Sequence, residues 1–102
     1  MGDWVNLLPD EIQPLVPLLA AQHCQFIWRS EDMIASQNEP FDTGLCWFEV
    51  WMSGNLICFA GAFQCPVENS ILRAAVTPVI EQAVLLVELR TLRHVAAISV
   101  YR

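Results

Sequence analysis

The sequence contains no lysine; five arginines stand against eleven acidic residues, for a net charge of −6. Nucleic-acid binding draws its affinity from Lys and Arg on phosphates, so this balance argues against direct nucleic-acid contact. Glycine is scarce as well. The four glycines are isolated at positions 2, 44, 54 and 61, which leaves no Gly-rich phosphate loop. Charge of either sign is sparse at 16% of 102 residues, below the roughly 25% of a typical soluble domain. The acids are scattered, as expected if they keep an apolar chain in solution.

Cysteine is present but lacks a ligand spacing. Cys24, Cys46, Cys58 and Cys65 are separated by 22, 12 and 7 positions, with no C-x-x-C pair. The start, Met-Gly-Asp-Trp, has neither a basic segment nor a leading apolar run, and Asn6 stands where a myristoylation motif needs Ser or Thr. The expectation is a cytoplasmic protein with reduced, buried thiols.

What the chain has in excess is apolar surface: 55% hydrophobic residues and a mean hydropathy of +0.41. Disorder is excluded for most of it. The uncharged run 12–28 is interrupted by Pro14 and Pro17. The run 50–67 is interrupted by Ser53-Gly54-Asn55, Gly61 and Pro66. Neither reads as a spanning helix. The length fits one domain, residues 1–102.

Residues 1–8 form a lead-in with apolar anchors Trp4, Val5, Leu7 and Leu8. Ile12, Leu15, Val16 and Leu19 have helical spacing, which predicts a helix over about 14–23. Residues 24–29 suit either a strand or a continued helix, with a slight lean to the helix. Leu-Pro-Asp-Glu-Ile at 8–12 resembles the opening of an F-box, but the rest of the chain departs from that all-helical motif, and no function is carried over.

Leu45–Met52 and Leu56–Phe63 flank Ser53-Gly54-Asn55, a β-hairpin signature. A two-residue loop places Cys46, Phe48, Val50, Met52, Ile57, Phe59, Gly61 and Phe63 on one face. Leu45, Trp47, Glu49, Trp51, Leu56, Cys58, Ala60 and Ala62 fall on the other. A bulge would break that assignment. A helix starts near Cys65-Pro66, and Thr77-Pro78 is expected to break it, with a second segment running to about Arg93. Val95–Tyr101 reads as a final strand. The expected fold is therefore α+β: N-terminal helix, antiparallel hairpin, Pro-broken C-terminal helix and a final short strand. Its core should include Leu19, Phe48, Val50, Ile57, Phe59, Val79, Leu86 and Leu89.

Two features point outward. Trp47, Glu49 and Trp51 lie in a row on the mixed hairpin face; Trp is enriched at interface hot spots, and a buried Glu needs a partner. They are the candidate partner-binding residues if the face is open; if it is covered, Glu49 should lie at its margin. The helix after Pro78 is apolar around most of its circumference, with Val84, Leu85 and Leu92 beside its narrow polar stripe, a candidate self-association face.

No catalytic, cofactor or metal residues are assigned. Cys24 beside His23 is sequence adjacency, whereas a thiol–base pair needs spatial adjacency. The expected function is that of a small acidic non-enzymatic binding protein, inhibitor or adaptor in type, acting by stoichiometric contact. It is expected to be homodimeric, with an unidentified protein partner and without membrane or direct nucleic-acid contact. Small proteins from phages or mobile elements often have this profile. The alternatives are a small enzyme using Cys24, Cys58 or Cys65 with a histidine, and a structural or chaperone-like subunit of a larger assembly.

Overall fold

The computed structural model describes the backbone of residues 2–100 and the side chains of residues 2–89. A 3-10 turn at Asp3–Leu7 leads to helix α1 (Leu15–Ala21). Strands β1 (Cys24–Ser30), β2 (Ala35–Ser36), β3 (Leu45–Met52) and β4 (Asn55–Gln64) follow, and helix α2 (Asn69–Val100) closes the described chain. The strands form one antiparallel sheet in the order β2-β1-β3-β4. The class is α+β.

The expected helix near residue 14 is present but ends earlier than 23, and residues 24–30 form a strand rather than its continuation. His23 adopts φ +67 directly after α1, while the Gln22 and His23 amides donate to the Leu19 and Ala20 carbonyls. A left-handed residue just past a helix reverses the chain, and histidine tolerates that region better than most non-glycine residues. The chain leaves this turn as β1. Cys24, Phe26, Trp28 and Ser30 point inward, and Gln25, Ile27 and Arg29 point outward.

The hairpin loop has two residues. Ser53 (φ +51) and Gly54 (φ +80) sit between paired Met52 and Asn55, the two positive angles that a type I′ turn requires. The expected face assignment holds for β3, where Cys46, Phe48, Val50 and Met52 are buried. It fails in β4. Val50 pairs with Cys58 and Trp51 with Leu56, so Ile57 is an extra residue; Cys46 pairs with Phe63 and Trp47 with Gly61, so Ala62 is another. Between these bulges the phase is reversed. Cys58 and Ala60 turn to the core, and Phe59 turns out, 63% exposed. The exchange has a steric reason. Helix α2 packs on β4 closely enough for the Cys58 thiol to lie 3.6 Å from the Val79 carbonyl. Small Cys58 and Ala60 fit beneath it where Ile57 and Phe59 would not.

One face of the sheet thus carries the core. An aromatic cluster lies at its centre: the Phe48 ring is 4.9 Å from both Trp4 and Trp28, and Trp28 is 5.9 Å from Phe63. The lead-in therefore contributes the core residues Trp4 and Leu8, each 1% exposed. Arg73 ties α2 to this segment by donating to the Leu7 carbonyl at 2.9 Å.

Two expectations about the C-terminal half are corrected. Helix α2 is not broken at Pro78, and the backbone is helical through Val100 instead of forming a final strand; Tyr101 lies outside the described residues. Proline removes one helical donor and costs about 3 kcal/mol in a helix interior. Here Pro78 and Ala74, whose carbonyl loses that donor, are both exposed, so water can satisfy the carbonyl. The flanking Val76, Val79 and Ile80 are buried. Burying each contributes roughly 1.5–3 kcal/mol, and the three together outweigh the proline. Thr77 does not cap a second helix; its hydroxyl has no hydrogen-bond partner. The buried stripe is Leu72, Val76, Val79, Ile80, Ala83 and Val87, while Leu86 is half-buried and Leu89 is 51% exposed.

The bulge-shifted register predicts a sharp asymmetry between two phenylalanines. Phe48→Ala should lower unfolding free energy by about 3–5 kcal/mol, and Phe59→Ala by less than about 1 kcal/mol, in urea titrations. Equal losses would contradict the register. The continuity of α2 predicts that Pro78→Ala raises stability by about 1–3 kcal/mol without loss of far-ultraviolet helical signal. A neutral or destabilising result would indicate a break at Pro78.

Candidate functional site

The opposite face of the sheet carries the candidate site. The β1–β3 register sets Gln25 opposite Trp51, Ile27 opposite Glu49 and Arg29 opposite Trp47; β3 in turn sets Glu49 opposite Phe59. Glu49 is at the centre of this face rather than at its margin, and is only 9% exposed. Three donors converge on its carboxylate. Arg29 Nε and Trp51 Nε1 each donate to Oε1 at 2.9 Å, and Trp47 Nε1 donates to Oε2 at 2.9 Å. Trp47 and Trp51, two residues either side of Glu49 on an alternating strand, reach back to it along the same face.

Burial by itself pushes the Glu49 carboxyl up. The hydrogen bonds from Trp51, Trp47 and Arg29, together with the guanidinium charge, more than reverse this and hold it below the usual carboxylate range. Glu49 is therefore ionised and paired at neutral pH. The indole N–H groups are in turn occupied, which fixes both ring planes.

Around this polar centre the face is apolar. Leu45, Leu56 and Phe59 are 40%, 45% and 63% exposed. A shallow depression of about 350 Å³ is lined by Trp47, Glu49, Leu56, Phe59, Gly61 and Ala62. Gly61 is required there by close approach: a Cβ on it would lie 2.3 Å from the Trp47 Cβ. A side chain at 61 would therefore force Trp47 or the β4 backbone to shift.

No family model, curated protein or solved structure matches the chain.

The expected residues Trp47, Glu49 and Trp51 are thus brought together, and the structure adds Arg29, Phe59 and Leu56 beside them. The candidate self-association residues Val84 and Leu85 differ in exposure. Val84 is half-buried and lines an apolar groove of about 590 Å³ with Leu15, Leu18, Leu19, Gln22, Val87 and Glu88. Leu85 is 60% exposed. The Leu92 side chain lies outside the described residues. Residues Asn69–Leu89 of α2 are long and apolar enough to cross a membrane by length and composition, with a third of that stretch buried within the fold.

The cysteines are inward-facing. Burial raises the Cys24 thiol pKa. Burial and the neighbouring Cys24 push Cys58 up to about 11. Both are thereby disfavoured as thiolates. Among the described residues, no three His, Cys, Asp or Glu side chains come together as a metal-binding group.

The lowered Glu49 pKa gives a signed pH dependence. Its contribution to stability is fully present above the unfolded carboxyl pKa of about 4.3 and is lost as pH falls through the lower folded value. Melting temperature followed from pH 7 to pH 2 should therefore show an acid loss in the wild type. Part of that loss should be missing in Glu49→Gln, which starts lower at pH 7 because Arg29 is left uncompensated. Parallel curves for the two proteins would mean that Glu49 is not held as described.

Proposed function

We propose that the chain is a non-enzymatic binding protein acting by stoichiometric protein–protein contact, inhibitor or adaptor in type. Its partner surface is the outer sheet face built on Trp47, Glu49 and Trp51. The observation that carries this reading is the internally satisfied carboxylate on a face bordered by exposed Phe59 and Leu56. Covering a lone carboxylate with a partner is costly unless the partner supplies donors. Glu49 already has three, so the face can lose water without stranding a charge. The two indoles are held by their N–H groups, which reduces the rotamer entropy lost on docking, about 0.5–1.5 kcal/mol per free side chain. Trp and Arg are also the residue types that dominate binding energy at interface centres.

The same reading includes a homodimer in the cytoplasm, without membrane or direct nucleic-acid contact. Leu85 and Leu89 on α2, and Leu18 on α1, leave apolar surface open that a second copy would cover.

Both parts are testable with side chains that contribute little to the core. Phe59→Asp should leave the melting temperature within a few degrees of wild type. It should weaken a partner captured at one-to-one stoichiometry by at least about tenfold, as expected of a central contact. An unchanged affinity would remove the sheet face as the docking surface. Light scattering after gel filtration should give twice the 11.5 kDa chain mass, falling to one chain in Leu85→Glu. A wild-type monomer at micromolar concentration would remove the dimer.

A further inference from the structure

Cys46 lies near the start of β3 and pairs with Phe63 of β4. One residue beyond β4, the Cys65 amide donates to the Gly44 carbonyl at 2.8 Å. This bond extends the antiparallel β3–β4 pairing past Leu45 and Gln64. It brings the two sulfurs into direct contact, 2.7 Å apart, with Cys46 fully buried and Cys65 7% exposed. Cys46 is held by strand pairing and Cys65 by its bond to Gly44, so the two sulfurs are presented to each other by backbone hydrogen bonds on both sides. Cys24 and Cys58 sit elsewhere in the core, Cys58 against the Val79 carbonyl.

We propose that Cys46 and Cys65 form a disulfide, made by exchange with a low-molecular-weight disulfide of the glutathione type, while Cys24 and Cys58 remain thiols. Cys65, the less enclosed of the two, attacks one sulfur of glutathione disulfide as its thiolate. That step releases one glutathione thiolate, which takes up a proton, and leaves a mixed disulfide on Cys65. The Cys46 thiolate then attacks the Cys65 sulfur, and the second glutathione leaves and is protonated. Two protein thiols are oxidised to one disulfide, and one glutathione disulfide is reduced to two glutathiones.

Within the packed core this exchange is slow, because burial and the neighbouring Cys65 push the Cys46 thiol up to about 12. The bond therefore forms during folding or local opening of the β4 end, and packing then shields it. It closes a loop between residues 19 apart that contains the β3–β4 hairpin except Leu45. It also anchors β3 next to Trp47, opposite the Gly61 approach. The inference is independent of the docking role of the outer face, and where the bond forms it counts against the cytoplasmic placement, since cytosolic glutathione keeps thiols reduced.

The test is refolding of the full chain in a glutathione–glutathione disulfide buffer, acid quench, alkylation and peptide mapping. The expected result is two of four thiols protected, with a cross-linked peptide pair joining Cys46 to Cys65. The oxidised form should melt on the order of 10 °C above the reduced form. Cys24→Ala/Cys58→Ala should form the same bond, and Cys65→Ser should form none. Four alkylated thiols in the oxidising buffer, or a bridge that includes Cys24 or Cys58, would overturn the proposal.

Discussion

The pairing of Arg29 with Glu49 depends on the same β1–β3 register that builds the core. In that register Phe26 and Trp28 meet Val50 and Phe48 on one side of the sheet, while Ile27 and Arg29 meet Glu49 and Trp47 on the other. A slip of one residue would reverse both sides. Arg29 would enter an apolar core without its carboxylate, and Trp28, now fully buried, would face outward. The ion pair is partly exposed at Arg29, whose side chain is 27% accessible, so its value lies less in raw stability than in the penalty for every other register.

Much of this was legible in the sequence, and the failures have physical causes. The hairpin was readable because Ser53-Gly54 supplies the turn and the flanking residues are strand formers. The Trp47–Glu49–Trp51 row was readable because β3 keeps strict alternation. The partner of Glu49 was not, because Arg29 is 20 residues away and joins the site only if residues 24–30 are a strand. That assignment turned on His23 taking a left-handed conformation without a glycine to announce it. The reversal within β4 had no local signal. Residues 57–62, Ile-Cys-Phe-Ala-Gly-Ala, are apolar on both faces, so hydrophobic pattern cannot locate a bulge. The close passage of α2 decides which side faces in.

The C-terminal half shows propensity overruled by packing. Thr77-Pro78 is a strong local signal for a helix end followed by a helix start. It fails because the residues around it are buried on one continuous stripe from Leu72 to Val87. Local cost at one exposed position is small against several buried side chains that a break would misalign. The same continuity undoes the expected final strand: a helix that is not reset at Pro78 keeps helical backbone through Val100, where a returning strand would need extended residues.

Much of the exposed apolar surface falls on two faces that differ in kind. The outer face of the sheet has a charged, hydrogen-bonded centre and fixed aromatic rings. Such a surface suits the exchangeable partner proposed for it. The exposed side of α2 offers Ile71, Leu85 and Leu89 with no comparable polar anchor. Obligate contacts are the more hydrophobic class, so permanent coverage by a second copy suits α2, whereas an exchangeable partner suits the sheet. This difference in chemistry is why the proposed self-association and the proposed partner binding fall on separate elements. It also implies that mutations at Leu85 and at Phe59 should act independently, because the two surfaces share no side chain.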